Sequence, residues 1–239
     1  MEKVRTEREK NPFGRRYDRN FDMLSVEDME SVRRAKVCVV GCGGLGGHII
    51  EQLARLGVGK LTVIDGDVFD ETNLNRQLLS TVEALGTSKS QAAKDRVAKI
   101  NPETVVQTRA ERLASANCEE ILAGHHVVVD AVDNVDTRML LQEFCEKLDI
   151  PLVHGAIAGW YGQVGTVFPG DRTLSKIYGS GEKHGIEREL GNPSFTPGLV
   201  ASLQVSEVLK VIVGRGELLR KRILYIDLFE HEYVLMNFD

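Results

Sequence analysis

The sequence predicts an α/β fold: a doubly wound, mostly parallel, Rossmann-like sheet with a C-terminal antiparallel extension. Three observations carry that prediction. Short runs rich in β-branched residues, Val37 to Val40 and His126 to Val132 among them, alternate with stretches of helical spacing. Gly41-x-Gly43-x-x-Gly46 follows the first run at once, and Asp65 closes the second run 24 positions after Gly41. Beyond Gly159 the character changes to a glycine-rich strand, a polar stretch, one apolar helix and a closing pair of strands.

Taken in order, the first residues form a charged arm holding Arg15, Arg16 and Arg19, expected to be solvated and partly disordered up to residue 20. Ser25-Val-Glu-Asp28 reads as a helix start for residues 26–34, with Ser25 as N-cap and acids in the first turn. Val37 to Val40 is a buried parallel strand, and Ile49 to Leu56 is a helix ended by Gly57 and Gly59. Leu61 to Ile64 is the second strand. From Asp67 to Gly86 there is little periodicity, and so long an irregular stretch inside a compact α/β domain is usually functional or disordered. Helical spacing returns at Ala92, Ala93, Val97 and Ile100, with Lys89 at the helix start.

Thr104 to Thr108 is a third strand, Asn117 to Ala123 a helix, and His126 to Val132 the fourth parallel strand, with Asp133 and Asn134 at its end. A helix from Asp136 to Leu148 and a strand from Pro151 to Gly155 follow, then a strand from Gly162 to Phe168. Pro169 to Thr196 is polar and without period, with five glycines and two prolines, and reads as a mobile crossing loop. Pro197 opens an apolar helix through Val213, and Arg222 to Leu228 and Tyr233 to Phe238 read as antiparallel strands. The chain therefore divides into an arm and helix (1–35), a nucleotide-binding region (36–158), and a crossing loop, helix and closing strands (159–239), integrated as one domain.

Composition narrows the function. A net charge of −5 gives no general attraction to nucleic acid or to an anionic membrane. No apolar run reads as long enough to span a bilayer, and the N-terminus has no signal-peptide core, so the expectation is a cytoplasmic protein. Cys38, Cys42, Cys118 and Cys145 form no CxxC pair and are expected to be reduced and mostly buried, although Cys42, inside the glycine turn, is a candidate for thiol reagents. The six histidines show no metal spacing and read as structural or surface residues.

The glycines let backbone N–H groups approach a phosphate at a helix N-terminus, and Asp65 suits a ribose hydroxyl pair. Asn73, Asn75, Arg76 and Lys89 add side chains that suit phosphate. Ligands of open parallel sheets lie beyond the C-terminal ends of strands, so Asp133 and Asn134 face the same crevice as Gly41, Gly43 and Gly44.

Seven stretches together are specific enough to mark a resemblance: Arg16-Tyr-Asp-Arg19, Gly41-Cys-Gly-Gly-Leu-Gly46, Ile64-Asp-Gly-Asp67, Asn73-Leu-Asn-Arg-Gln77 with Lys89, Asp130-Ala-Val-Asp-Asn134, Gly162-Gln-Val, and Pro197 to Val213. From about residue 15 to 238 the chain resembles the ThiF/MoeB/HesA family, prokaryotic relatives of ubiquitin-activating enzymes. The resemblance implies a homodimer that binds ATP and magnesium. It implies that the chain adenylates the C-terminal glycine of a ubiquitin-like sulfur-carrier protein of the MoaD or ThiS type. By motif, Gly41, Gly43, Gly44 and Asn134 would line the nucleotide, and Asp65 would take the ribose hydroxyls. Asn73, Arg76 and Lys89 would contact phosphates, Asp133 would hold magnesium, and Arg19 would reach the other protomer's site. The loop from Pro169 to Thr196 would cross over the carrier's threaded tail.

Two departures from the family pattern stand out. Many members hold zinc through two CxxC pairs, one in the crossing region and one near the C-terminus, and many carry a crossing-loop cysteine. This chain has none in either place, so the expectation is no zinc, no covalent enzyme cysteine in that loop, and a separate sulfur donor. An NAD-dependent oxidoreductase would explain Gly41 to Asp65 but leave Arg76, Lys89 and Asp133 without a task. A relative of tRNA threonylcarbamoyladenosine dehydratase would act on RNA, which the acidic balance and the lack of a basic stripe disfavour. A non-catalytic scaffold for a ubiquitin-like partner would not need the set Arg19, Arg76, Lys89 and Asp133.

Overall fold

The computed structural model describes residues 11–179 and 190–238. Among them the chain runs α1 (Val26–Arg34), β1 (Lys36–Val40), α2 (Gly44–Leu56), β2 (Lys60–Ile64), α3 (Lys89–Ile100), β3 (Val105–Arg109), α4 (Ser115–Leu122), β4 (Val127–Asp130), α5 (Val135–Lys147), β5 (Leu152–Ala158), β6 (Tyr161–Val167), α6 (Thr173–Tyr178), α7 (Phe195–Val213), β7 (Arg222–Asp227) and β8 (Glu232–Asn237). The strands form one eight-stranded sheet in the order β3-β2-β1-β4-β5-β6-β7-β8. Pairing is parallel from β3 to β5 and antiparallel from β5 to β8.

Alternation along each strand sorts its side chains onto two helical layers. Val37, Val39, Leu61, Val63, Val127 and Val129 pack with α2, α3 and α7 on one face. Cys38, Val40, Ile64 and Val128 pack with α4, α5 and α6 on the other. That two-sided burial is why the central strands read as unbroken apolar runs. The chain order reverses between β1 and β4, which puts a crevice beyond the C-terminal ends of those neighbours.

Three expectations need correction. The arm is folded from residue 11 onward, because Phe13, Tyr17, Leu24 and Met29 form a small buried cluster of their own. Tyr17 also takes a 2.7 Å hydrogen bond from the buried Asn101. Residues 1–10 lie outside the described residues. The crossing stretch is not uniformly loop, since α6 lies within it, and its middle, 180–189, lies outside the described residues. The helix was hidden because it has only six residues, too few for a periodic signal, and its first N–H groups are capped by Gln142, 32 positions away from Leu174. Finally, α7 is long and apolar enough to cross a membrane by length and composition, but it packs on α2, β5 and β6 with Gln204 and Glu207 buried.

Candidate active site

The glycine turn is built by contact. Gly41 has φ +97°, and a Cβ there would meet the Ala131 carbonyl oxygen at 2.5 Å. At Gly46 a Cβ would meet the Gly41 carbonyl oxygen at 1.8 Å, so these two glycines bring α2 onto β1 and β4. Gly43 and Gly44 meet nothing closer than 3.5 Å and instead face a cavity. Gly43 is the N-cap of α2 and supplies no side-chain cap. By contrast Ser88 caps α3 and Asn134 caps α5 with their own side chains.

That cavity has a volume of about 650 Å³ and is lined by Gly41, Gly43, Gly44, Asp65, Arg76, Lys89, Asp133 and Asn134. The volume is of the size that holds a nucleotide-sized ligand. The N-termini of α2, α3 and α5 all open on it, so three helix dipoles present positive ends to one space. Asp65 is fixed by its surroundings: Oδ2 accepts the Cys42 N–H at 2.7 Å and Oδ1 the Asp67 N–H at 2.8 Å. Lys89 is buried at the first position of α3, with Nζ 3.7 Å from Asp67 Oδ2. Arg76 donates to the Thr72 carbonyl and to Asn75 Oδ1, both at 2.9 Å, which aims its stem past Gly44. Asp133 is exposed and makes no ion pair among the described residues, whereas Asp67 is held by both Lys89 and Arg112.

Not every expected residue reaches the cavity. Asn73 does not: its Oδ1 accepts the Asp70 N–H at 3.1 Å, closing a reciprocal cap on the short 3-10 turn Glu71–Asn73. Its side-chain oxygen is taken up by local structure, a common competing use of an Asn in a turn. Arg19 does not reach this protomer's cavity either. Its neighbour Asn20 donates to the Leu56 carbonyl at 3.5 Å and Tyr17 packs on Gly57, so Arg19 is exposed beside the far end of α2. The cavity lies at that helix's other end, about 20 Å away. Cys42 is fully buried, and burial pushes its thiol well above its ordinary pKa, so it is no ready target for thiol reagents.

Several lining residues were missed by sequence reasoning. Gln77 is 7% exposed and its Oε1 has no hydrogen-bond partner among the described residues, an orphaned acceptor beside the glycine turn. Arg112 packs on Gly66 and reaches Asp67 Oδ1 at 3.0 Å from the loop after β3, a placement no local pattern announces. Arg138 lies four positions after the cap Asn134, and that helical spacing was the available signal.

The fold agrees with a comparison against known proteins. Residues 17–238 match the ThiF family. The chain belongs to the ThiF family. A SAMP-activating enzyme E1 of Haloferax volcanii is 36% identical to it over 217 residues, covering 89% of this chain and 80% of that protein. A sulfur carrier protein adenylyltransferase of Thermus thermophilus is 36% identical over 229 residues, covering 91% and 84%. A molybdopterin-synthase adenylyltransferase of Escherichia coli is 33% identical over 220 residues, covering 89% and 87%. Among solved structures, Escherichia coli MccB with MccA-N7isoASN superposes with a TM-score of 0.79 at 21% identity, covering 93% of this chain and 71% of that one. That likeness speaks to the fold, and it places this ThiF family member's eight-stranded sheet among known architectures.

Proposed function

We propose that this protein is an ATP-dependent adenylyltransferase. It activates the C-terminal glycine carboxylate of a ubiquitin-like sulfur-carrier protein, of the MoaD or ThiS type, as an acyl-adenylate with release of pyrophosphate. The observation that carries the reading is the convergence of three helix N-termini, Lys89 and Arg76 on one cavity that also holds Asp65 and Asp133. The family relatives, named as adenylyltransferases and as an activating enzyme, support the same reaction.

The chemistry needs no general base. A C-terminal carboxylate has a pKa of about 3.5 and is ionised at neutral pH. Its oxygen forms a bond to the α-phosphorus, and the bond from that phosphorus to the bridging oxygen breaks, so pyrophosphate leaves with the electron pair. The obstacles are bringing two anions together and stabilising the departing charge. In this reading Asp65 takes the ribose hydroxyls, and Gly43, Gly44 and Asn134 line the nucleotide. Gln77 offers its orphaned oxygen, and Lys89 and Arg76 hold phosphate oxygens. Asp133, exposed and making no ion pair among the described residues, would hold a magnesium ion, which would supply charge neutralisation. An oxidoreductase would leave Lys89, Arg76 and Asp133 without a task.

The reading extends to a cytoplasmic homodimer in which Arg19 serves the neighbouring site, to a zinc-free protein, and to sulfur delivered by a separate donor. Arg19's position a helix length from its own cavity supports the in-trans role. Two experiments test the proposal. Pyrophosphate–ATP exchange should depend on a carrier ending in glycine; exchange that ignores the carrier speaks against it. Mixing Arg19→Ala with Asp133→Ala protein under subunit exchange should restore about a quarter of wild-type activity, since half the dimers are hybrid and each carries one intact site. No recovery removes the in-trans role.

A further inference from the structure

Asp133 leaves the end of β4 through Val132, and both backbone polar groups of Val132 are held by buried charge. The Val132 N–H donates to Asp130 Oδ1 at 3.1 Å, and the Val132 carbonyl accepts from Arg138 Nη2 at 2.8 Å. Asp130 is wholly buried, Arg138 is 4% exposed, and Arg138 Nε lies 3.5 Å from Asp130 Oδ2. A further layer stands behind them, outside the cavity lining. His154, wholly buried on β5, places Nδ1 2.6 Å from Asp130 Oδ2. Its Nε2 lies 3.3 Å from the Tyr178 hydroxyl, at the end of α6. That hydroxyl also accepts from Arg138 Nη1 at 3.3 Å and from Gln163, and the Tyr178 ring lies 5.4 Å from the guanidinium carbon.

Burial lowers the His154 pKa, so the ring is neutral at pH 7 and carries one N–H. With Nδ1–H donating to the Asp130 carboxylate, Nε2 is an acceptor, and it faces both the Tyr178 hydroxyl at 3.3 Å and Gln163 Nε2 at 3.2 Å. A buried ion pair stabilises a fold less well than apolar packing of the same volume, but it fixes directions that packing does not.

We propose that His154 and Tyr178 are positioning residues for Asp133: they orient Asp130 and Arg138, which clamp the Val132 N–H and the Val132 carbonyl, the two peptide groups leading to Asp133. The inference rests on the adenylyltransferase reading for its kinetic consequence, but not for its structural one. Tyr178→Phe removes one hydroxyl and keeps the ring against Arg138. It should lower kcat for carrier-dependent exchange about tenfold per ATP-binding site, with the KM for ATP changed less than twofold. His154→Gln, which keeps a donor for Asp130, should retain more than half the wild-type kcat, while His154→Leu loses at least as much as Tyr178→Phe. Hydrogen exchange of the Val132 amide should quicken at least tenfold in Tyr178→Phe protein that still melts cooperatively. A wild type without carrier-dependent exchange would defeat the functional reading alone, because the amide measurement still decides the clamp. Unchanged amide exchange overturns the clamp. So does an unchanged kcat per site in Tyr178→Phe when the wild type is active.

Discussion

The parallel half of the sheet, β3 to β5, and the antiparallel half, β6 to β8, are held by different means. In the parallel half β1, β2, β4 and β5 bury aliphatic side chains on both faces. There α3 and α5 are capped by the residues just before them, Ser88 and Asn134. In the antiparallel half the joints are polar and distant in sequence. Glu207, 1% exposed, takes the Thr166 hydroxyl at 2.6 Å and the Leu219 N–H at 2.8 Å. Asp171, on the way into α6, is gripped by Arg220 through two hydrogen bonds of 2.9 and 3.1 Å. Gln204 of α7 donates to the Asp130 carbonyl at 2.8 Å and so joins the two halves. The chemistry sits where the local encoding is strongest, at the ends of the parallel strands. The closing half brings α7 and the crossing stretch to that site by side-chain clips.

Substitutions in the two halves should therefore have different signatures. Asp133→Ala carries the largest expected effect, a loss of roughly a thousandfold in exchange, about 4 kcal/mol, with the melting temperature unchanged because the side chain is exposed. Near-normal turnover would remove Asp133 from the reacting site. Lys89→Ala should cost ~3 kcal/mol, roughly a hundredfold in kcat. If single-turnover kinetics showed a weaker ATP affinity alone, Lys89 would be a uniform binder.

Asp171→Asn tests the other half. It should leave kcat per folded molecule unchanged and lower stability by ~2 kcal/mol, read by urea unfolding. Burial alone would raise the Asp171 carboxyl, but the Arg220 guanidinium and the Phe168 N–H hold it below the ordinary carboxylate range. A carboxyl depressed in the folded state contributes its stability above its unfolded pKa of about 3.9 and loses it as pH falls through the folded value. Wild type and Asp171→Asn should thus differ at neutral pH and converge in acid. A constant gap down to acid unfolding would show that the clip does not act through charge.

The same contrast explains what the sequence made legible. Gly41, Asp65, Lys89 and Asp133 were readable because each follows a strand or opens a helix whose periodicity is local. Asn73 has a motif position that suits phosphate, yet it stands outside the cavity lining and closes its own turn with its side-chain oxygen. Arg112 reaches the cavity by tertiary packing, and α6 owes its cap to Gln142 on α5. The arm's charges suggest a solvated segment, but its order depends on Phe13 joining a buried cluster and on Tyr17 meeting the ends of α2 and α3. Long-range polar partners leave no periodic trace.

All four thiols are buried, and burial raises each above its ordinary pKa, Cys118 to about 12. None is placed to serve as a nucleophile, so in the proposed reaction the enzyme's chemistry ends at the acyl-adenylate. The direct test is to incubate the protein with ATP, magnesium and a glycine-terminated carrier, then determine the intact masses of both proteins. The carrier should be heavier by one adenylyl group, with pyrophosphate in equal amount and an enzyme of unchanged mass. Cleavage of ATP to ADP and phosphate, or a thiol-sensitive carrier adduct on the enzyme, would contradict the proposed reaction.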